Sequence, residues 1–305
     1  MDDKIKSTIE KVVKLASQNP EFGAELRKRL GIASLASVVS VDDRKLDEIY
    51  EYCIEKVVKK QAKEFYADFP LPAIRDALID DFCRMESFRR KDNFGDFCLA
   101  LYQQIERMTN VICTNPALTT IAEKMMQCCA YVKSGKTITP SIENRAEGEF
   151  TVAGLLFPGQ NKQTGLPYSV EKPKKTLQSH YAIDKMRIVV YFLGYKGLMK
   201  TGDYDAYTEF TSVLKDLYQC RNANHRGNNL FPWEQEVIDR IIPHKGIYYL
   251  KFLGALTEYV DCIKTGYPEI PTMLAFVQSG QVKPVSGIKI KGKIDLPEDG
   301  KKRFR

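Results

Sequence analysis

The sequence predicts an all-α fold, and three observations carry that prediction. Apolar residues recur at spacings of three and four along most of the 305 residues, the period of a helix with one buried face. Pro, Gly, Asn and Asp fall where those runs begin and end, as helix caps and breakers do. Period-two alternation, the signature of a half-buried strand, is sustained only near the C-terminus, in Gly287-Ile288-Lys289-Ile290-Lys291-Gly292-Lys293-Ile294.

The elements follow in order. Residues 3–18 place Ile5, Ile9, Val12 and Val13 on one face and stop at Asn19-Pro20; a short second helix fits 21–30 and ends at Gly31. After the small apolar connector Ile32 to Val41, Asp42 or Asp43 caps a long helix over about 44–67, with Leu46, Ile49, Tyr50, Cys53 and Val57 in register. Phe69-Pro70-Leu71-Pro72 breaks it, and the next helix starts at Pro72, where a missing N–H costs nothing. Its core face is Ile74, Leu78, Phe82 and Met85, and it runs into Arg89-Arg90-Lys91-Asp92. Phe94, Phe97, Cys98, Leu101, Ile105, Met108 and Ile112 line the following helix; Asn115-Pro116 reads as cap and first turn of another, over 116–130.

Between about 131 and 180 periodicity is lost and Gly, Pro, Thr, Lys and Asn accumulate, so this stretch is predicted to be a long irregular insertion in which 150–157 forms one short strand. Helical signal returns at 181–195, then from Thr201 or Asp203 to Arg221, from Pro232 to Ile242, and beyond Gly246 with Tyr249, Leu253, Leu256, Val260 and Ile263. The predicted organisation is an N-terminal helical extension (1–68), a helical domain (69–266), and a linker with a partial β hairpin or basic tail (267–305).

Composition narrows the function classes. Lys plus Arg number 46 against 39 Asp plus Glu, a formal charge of +7 that leans mildly toward polyanions. Eight cysteines without a CxxC pair, and three histidines, argue against a zinc cluster and for free thiols in a reducing cytoplasm. No metal site and no cofactor is expected. The longest apolar run, Ile188 to Leu193, is too short to span a bilayer, and the N-terminus carries no signal-peptide pattern.

Several motifs have ordinary readings. Ala130-Tyr131-Val132-Lys133-Ser134-Gly135-Lys136-Thr137 nearly matches a phosphate loop, but such a loop needs a strand before it and a helix after it, and neither is predicted. Arg89-Arg90-Lys91, Lys172-Pro173-Lys174-Lys175 and Lys301 to Arg305 are solvated clusters or contacts to a nucleic-acid backbone. His180 and His244 flank helix starts; Pro243 separates His244 from Arg240 and keeps the two off a shared face.

Cys220-Arg221-Asn222-Ala223-Asn224-His225-Arg226-Gly227 is different. The apolar stripe Tyr207, Phe210, Leu214, Leu217 continues by four-residue steps onto Arg221 and then His225, so a cation and a histidine fall where a core residue is due. One ordinary reading has both residues as cations at a helix C-terminus, favoured by the helix dipole by about 0.3–1 kcal/mol. The segment also resembles the HEPN ribonuclease superfamily, whose mark is an arginine, a polar residue directly after it, and a histidine beyond four to six intervening residues. Here Arg221, Asn222 and His225 fill those places with three residues between arginine and histidine.

That resemblance implies a HEPN-like helical bundle and a metal-independent endoribonuclease in bacterial defence or toxin action. His225 would be general acid or base, Arg221 would stabilise the phosphate, and Asn222 would hold one of them. Asn224 and Arg226, with Arg89, Arg90 and Lys91, would contact RNA. The expected partners are RNA, a second copy of the chain, and an inhibitor or activating partner, with no membrane. The alternative is a non-catalytic helical module that binds RNA or protein.

Overall fold

The computed structural model describes residues 3–30, 43–128, 130–134, 137–141, 151–157, 176–195, 202–226 and 230–280. Across them the chain is predominantly helical, as the apolar periodicity predicts. It divides into two units, Met1–Lys56 and Val57–Arg305.

The first unit holds α1 (Asp3–Gln18), α2 (Pro20–Leu30) and the start of α3 (Asp43–Phe65). Asn19 ends α1 and caps α2, its side-chain oxygen accepting from the Phe22 amide at 3.2 Å. Gly23 lets the two helices close up, since a Cβ there would lie 2.8 Å from the Ala16 carbonyl oxygen.

The second unit opens with the end of α3, then α4 (Pro72–Arg90), α5 (Phe94–Ile112) and α6 (Pro116–Cys128). The Asn115 side chain accepts from the Ala117 and Leu118 amides at 2.9 and 3.2 Å, so this cap forms where the sequence places it. On α5 all seven stripe residues from Phe94 to Ile112 are buried, and the polar groups that enter the core with them find partners. Tyr66 donates to Gln104 at 2.8 Å; Thr109 and Tyr259 share a hydrogen bond of 2.6 Å.

Three elements depart from the sequence reading. The stretch from 131, expected to be irregular, starts with the strands β1 (Ala130–Ser134) and β2 (Thr137–Ser141), antiparallel with Ser134 opposite Thr137; β3 (Gly202–Asp203) pairs with β2. The expected strand at 150–157 is instead a short helix, α7 (Val152–Leu156). Thr151 caps it by accepting from the Gly154 amide at 3.0 Å, and a short apolar run of this kind has no period of its own to oppose that. The segment expected as linker contains α12 (Ile270–Gln278), with Ile270, Met273 and Val277 buried. The expected β element at 287–305 lies outside the described residues.

The remaining helices are α8 (Ala182–Val189), α9 (Tyr204–Arg226), α10 (Pro232–Ile241) and α11 (Lys245–Gly266). From α8 the chain runs directly into a π-helical turn, Val190–Gly194, closed by the Tyr195 amide on the Val190 carbonyl at 3.1 Å. The apolar run noted in the sequence falls here, and Val190 to Leu193 are completely buried. Gly266 on α11 has backbone as its neighbour: a Cβ there would overlap the Leu193 carbonyl oxygen and lie 2.5 Å from the Leu193 Cα. No described helix is long and apolar enough to cross a membrane.

Candidate functional site

The stripe on α9 forms as its spacing requires: Tyr207, Phe210, Leu214 and Leu217 are all buried. One turn further the core gives way to polar groups. Arg221 is half-buried and Asn222 buried, while Asn224 is exposed. The Arg221 guanidinium lies 5.2 Å from the centre of the Tyr102 ring on α5, a cation–π distance. Its Nη1 donates to the Asn222 Oδ1 at 3.2 Å. Its buried Nε has no hydrogen-bond partner among the described residues. Among the described residues no carboxylate forms an ion pair with Arg221.

Burial raises the Tyr102 pKa, Glu106 adds to the rise, and Arg221 opposes it; the hydroxyl, which donates to Glu106 at 3.2 Å, therefore stays protonated beside the guanidinium. The helix runs unbroken to Arg226, so positions 221 and 225 stand one turn apart on it. The side chains of His225 and Arg226 lie outside the described residues.

The end of α9 is tied to the α4–α5 corner. Asn224 donates to Asp96 at 3.2 Å, and Asn93 donates to the other Asp96 oxygen at 2.7 Å. Gly95 makes the approach possible, because a Cβ there would sit 2.9 Å from the Asn224 Oδ1. Asn93 also caps α5 by accepting from the Asp96 amide. The structure thus brings Asn224 to the α4–α5 corner, where α4 ends in Arg89 and Arg90 and Lys91 follows as its cap, although none of these three is hydrogen-bonded to Arg221 or Asn222 among the described residues.

The three basic residues differ among themselves. Arg89 forms a fork onto Glu86, with Nη2 2.7 Å from Oε2 and Nε 3.0 Å from Oε1, and this hydrogen bonding raises the arginine's pKa further. Arg90 and Lys91 are exposed. Asp92, the next residue, is left-handed at φ 54°, a conformation Asp tolerates better than most side chains. Its carboxylate pairs with Lys245 of α11 at 2.5 Å and accepts from the Tyr249 hydroxyl at 3.3 Å. The hydrogen bond from Lys245 holds the Asp92 carboxyl below its usual range; burial, with Asp92 adding, pushes Tyr249 up to about 12.

Sequence reasoning missed Tyr102, Asp96, Asn93 and Lys245. Asn93 had a local signal, an Asn just before a helical stripe. Asp96 and Tyr102 had none, since Asp96 meets Asn224 across 128 positions of sequence.

The other motifs separate cleanly. The phosphate-loop near match is strand, connection and strand, with no helix after it. His180 is buried with its ring stacked on Phe157, centroids 4.6 Å apart. His244 is exposed in a 3-10 turn, and Arg240 is engaged elsewhere, with Asp216 at 2.7 Å and the Tyr248 hydroxyl at 2.6 Å. Cys98 and Cys220 meet where α5 packs on α9; burial, then the Cys220 contact, pushes the Cys98 thiol well above its ordinary value. These two, with Cys53, Cys113 and Cys262, are free thiols. Among the described residues no cluster of three or more His, Cys, Asp or Glu is placed to hold a metal ion. The clusters at 172–175 and 301–305 lie outside the described residues.

No family model, no curated protein and no solved structure matches the chain.

Proposed function

We propose that the chain is a HEPN-like, metal-independent endoribonuclease acting as a homodimer, with Arg221, Asn222 and His225 as its catalytic group. The observation that carries this reading is the state of Arg221. Its guanidinium is held by the Tyr102 face and the Asn222 oxygen, without an ion-pairing carboxylate among the described residues, one turn before His225 on a continuous helix. A planar cation fixed in that way has donors left for a phosphate. The helix-cap reading of Arg221 fits less well: α9 continues to Arg226, more than a turn beyond Arg221, and the arginine bonds a side chain rather than a terminal carbonyl.

In the proposed reaction the RNA 2′-oxygen attacks the adjacent phosphorus. The new bond is 2′-O–P and the bond broken is P–O5′, leaving a 2′,3′-cyclic phosphate and a 5′-hydroxyl. The proton of the 2′-OH passes to a base and the leaving 5′-oxygen takes one from an acid. Histidine titrates in the range where it can serve as either. Two facing copies would supply one of each, which is what a dimer contributes. Arg221 offsets the charge that builds on the phosphoryl oxygens, and Asn222 fixes the guanidinium. Asn224, Arg226, Arg90 and Lys91 contact the RNA; Arg89 shares that role only to the extent that its fork with Glu86 leaves donors free.

Purified protein incubated with mixed RNA in excess EDTA is expected to release fragments ending in 2′,3′-cyclic phosphate, and Arg221→Ala and His225→Ala are each expected to lose that activity. RNA binding without cleavage by wild type overturns the enzyme and leaves an RNA-binding module. Fragments ending in 3′-hydroxyl overturn the 2′-OH mechanism.

A further inference from the structure

Lys56, Lys59, Lys60 and Lys63 recur at i, i+3, i+4 and i+7 in the second half of α3, and all four are exposed. At about 100° per residue they fall within an arc of roughly 100°, spread over about 10 Å of helix. No carboxylate of α3 projects into that arc: Glu48, Glu55 and Glu64 stand outside its edges, and Asp43, Asp47 and Glu51 lie behind. Val58 and Ala62, on the other side of the helix, are buried, so core packing fixes which way the lysines point.

The chain's own carboxylates barely engage this face. Among the described residues Lys56, Lys59 and Lys63 form no ion pair, although Glu55 stands four residues before Lys59, the favoured order for one. Lys60 reaches Glu64 at 3.8 Å with both side chains exposed, a weak pairing. Lys56 lies over the exposed Tyr52 ring, 5.1 Å from its centre. The helix dipole does not account for the pattern. It favours cations in the last turn, whereas Lys56 and Lys59 come before that turn, and it has no preference for one face.

We infer that the lysine face of α3 docks on the phosphodiester backbone of a nucleic acid without reading its sequence. An ammonium on a flexible stem is a point charge that suits phosphate, and phosphate contacts position a protein without specifying bases. About 10 Å of duplex axis carries roughly six phosphates, so four ammoniums in line find partners together. A lipid surface fits less well. A helix seated in lipid needs an apolar face free to enter it, and on the lysine half of α3 Val58 and Ala62 are already taken into the core. The inference stands apart from the ribonuclease reading, because it needs phosphates and no 2′-OH.

The test uses the full chain and a labelled DNA duplex of about 20 base pairs, which lacks the 2′-OH, with affinity read by anisotropy between about 50 and 200 mM salt. One variant changes Lys56, Lys59, Lys60 and Lys63 to Gln, which keeps the helix propensity. A control changes Lys6, Lys11, Lys14 and Lys215, exposed residues of α1 and α9, to Gln and removes the same charge. Circular dichroism checks that both are folded. The α3 variant is expected to flatten the slope of log affinity against log salt by about 0.9 for each lysine removed, and Lys59→Gln alone by about 0.9. The control is expected to keep the wild-type slope. No binding of duplex by wild type, an unchanged slope in the α3 variant, or equal flattening in the control overturns the docking face. Binding to phosphatidylserine vesicles that the α3 variant loses, with duplex binding unchanged, assigns the face to lipid and overturns it as well.

Discussion

The two ends of α11 are built differently. At the C-terminal end Gly266 lies against the Leu193 backbone, in a region where Val190 to Leu193 are completely buried. At the N-terminal end Lys245 and Tyr249 reach Asp92 through an ion pair and a hydrogen bond, and that corner is linked through Asn93 and Asp96 to Asn224. One end is close-packed backbone and apolar side chain; the other is a polar network that ends on Asn224, three residues beyond Arg221 on α9. Stability and the proposed chemistry are thereby separated, so substitutions at the two ends should have opposite signatures.

The largest effect on folding is expected at the packed end. Gly266→Ala puts a Cβ into the Leu193 backbone, which cannot swing aside as a side chain can. The expected loss is about 3 kcal/mol, the upper range for overpacking, measured by urea denaturation. A loss under about 0.5 kcal/mol, the level of an ordinary surface change, would show that this contact does not organise the core.

Arg89→Ala comes next. It leaves the buried Glu86 carboxylate without its fork partner. Because the arginine is partly exposed to water, the expected cost is about 1–2 kcal/mol, below that of breaking a fully buried pair. Arg221→Ala removes a cation–π contact and one hydrogen bond, and is expected to cost only about 1 kcal/mol. If Arg221→Ala destabilises more than Arg89→Ala, Arg221 is a structural residue and the contrast between the two arginines fails.

The smallest effect is a gain. Glu258 on the outer side of α11 has its pKa raised, first by burial and then by Glu209 and Asp261. A carboxyl raised on folding costs stability once it ionises: the cost is absent below its unfolded pKa and grows as pH rises through the folded value. Glu258→Gln is therefore expected to raise Tm at pH 7 and to lose that advantage below about pH 4. An equal gain at both pH values would place its origin in packing instead of charge.

Much of the helical architecture was legible because its punctuation is local. Pro72, Asn115-Pro116 and Pro232 mark helix starts by chemistry that acts within one turn. The misses share a cause. Val152–Leu156 is too short for a period to show, and Ile270–Gln278 falls in the stretch expected as linker although Pro271 sits in its first turn, where a missing N–H is harmless. At the candidate site the α9 stripe and its interruption at Arg221 were visible as helical phase. The Tyr102 face and the Asp96 bridge were not, since they depend on which helix packs against α9 and periodicity carries no information about that.

The most direct measurement compares the initial cleavage rates of wild type, Arg89→Ala and Arg221→Ala on single-stranded RNA in EDTA, at a temperature where circular dichroism shows all three folded. Arg221→Ala is expected to fall by at least about 100-fold, as for loss of a transition-state donor, while Arg89→Ala stays within about tenfold of wild type, the loss expected of a single phosphate contact. Equal rates in wild type and Arg221→Ala, or a loss in Arg89→Ala as large as that in Arg221→Ala, would contradict the assignment of Arg221 as the catalytic cation.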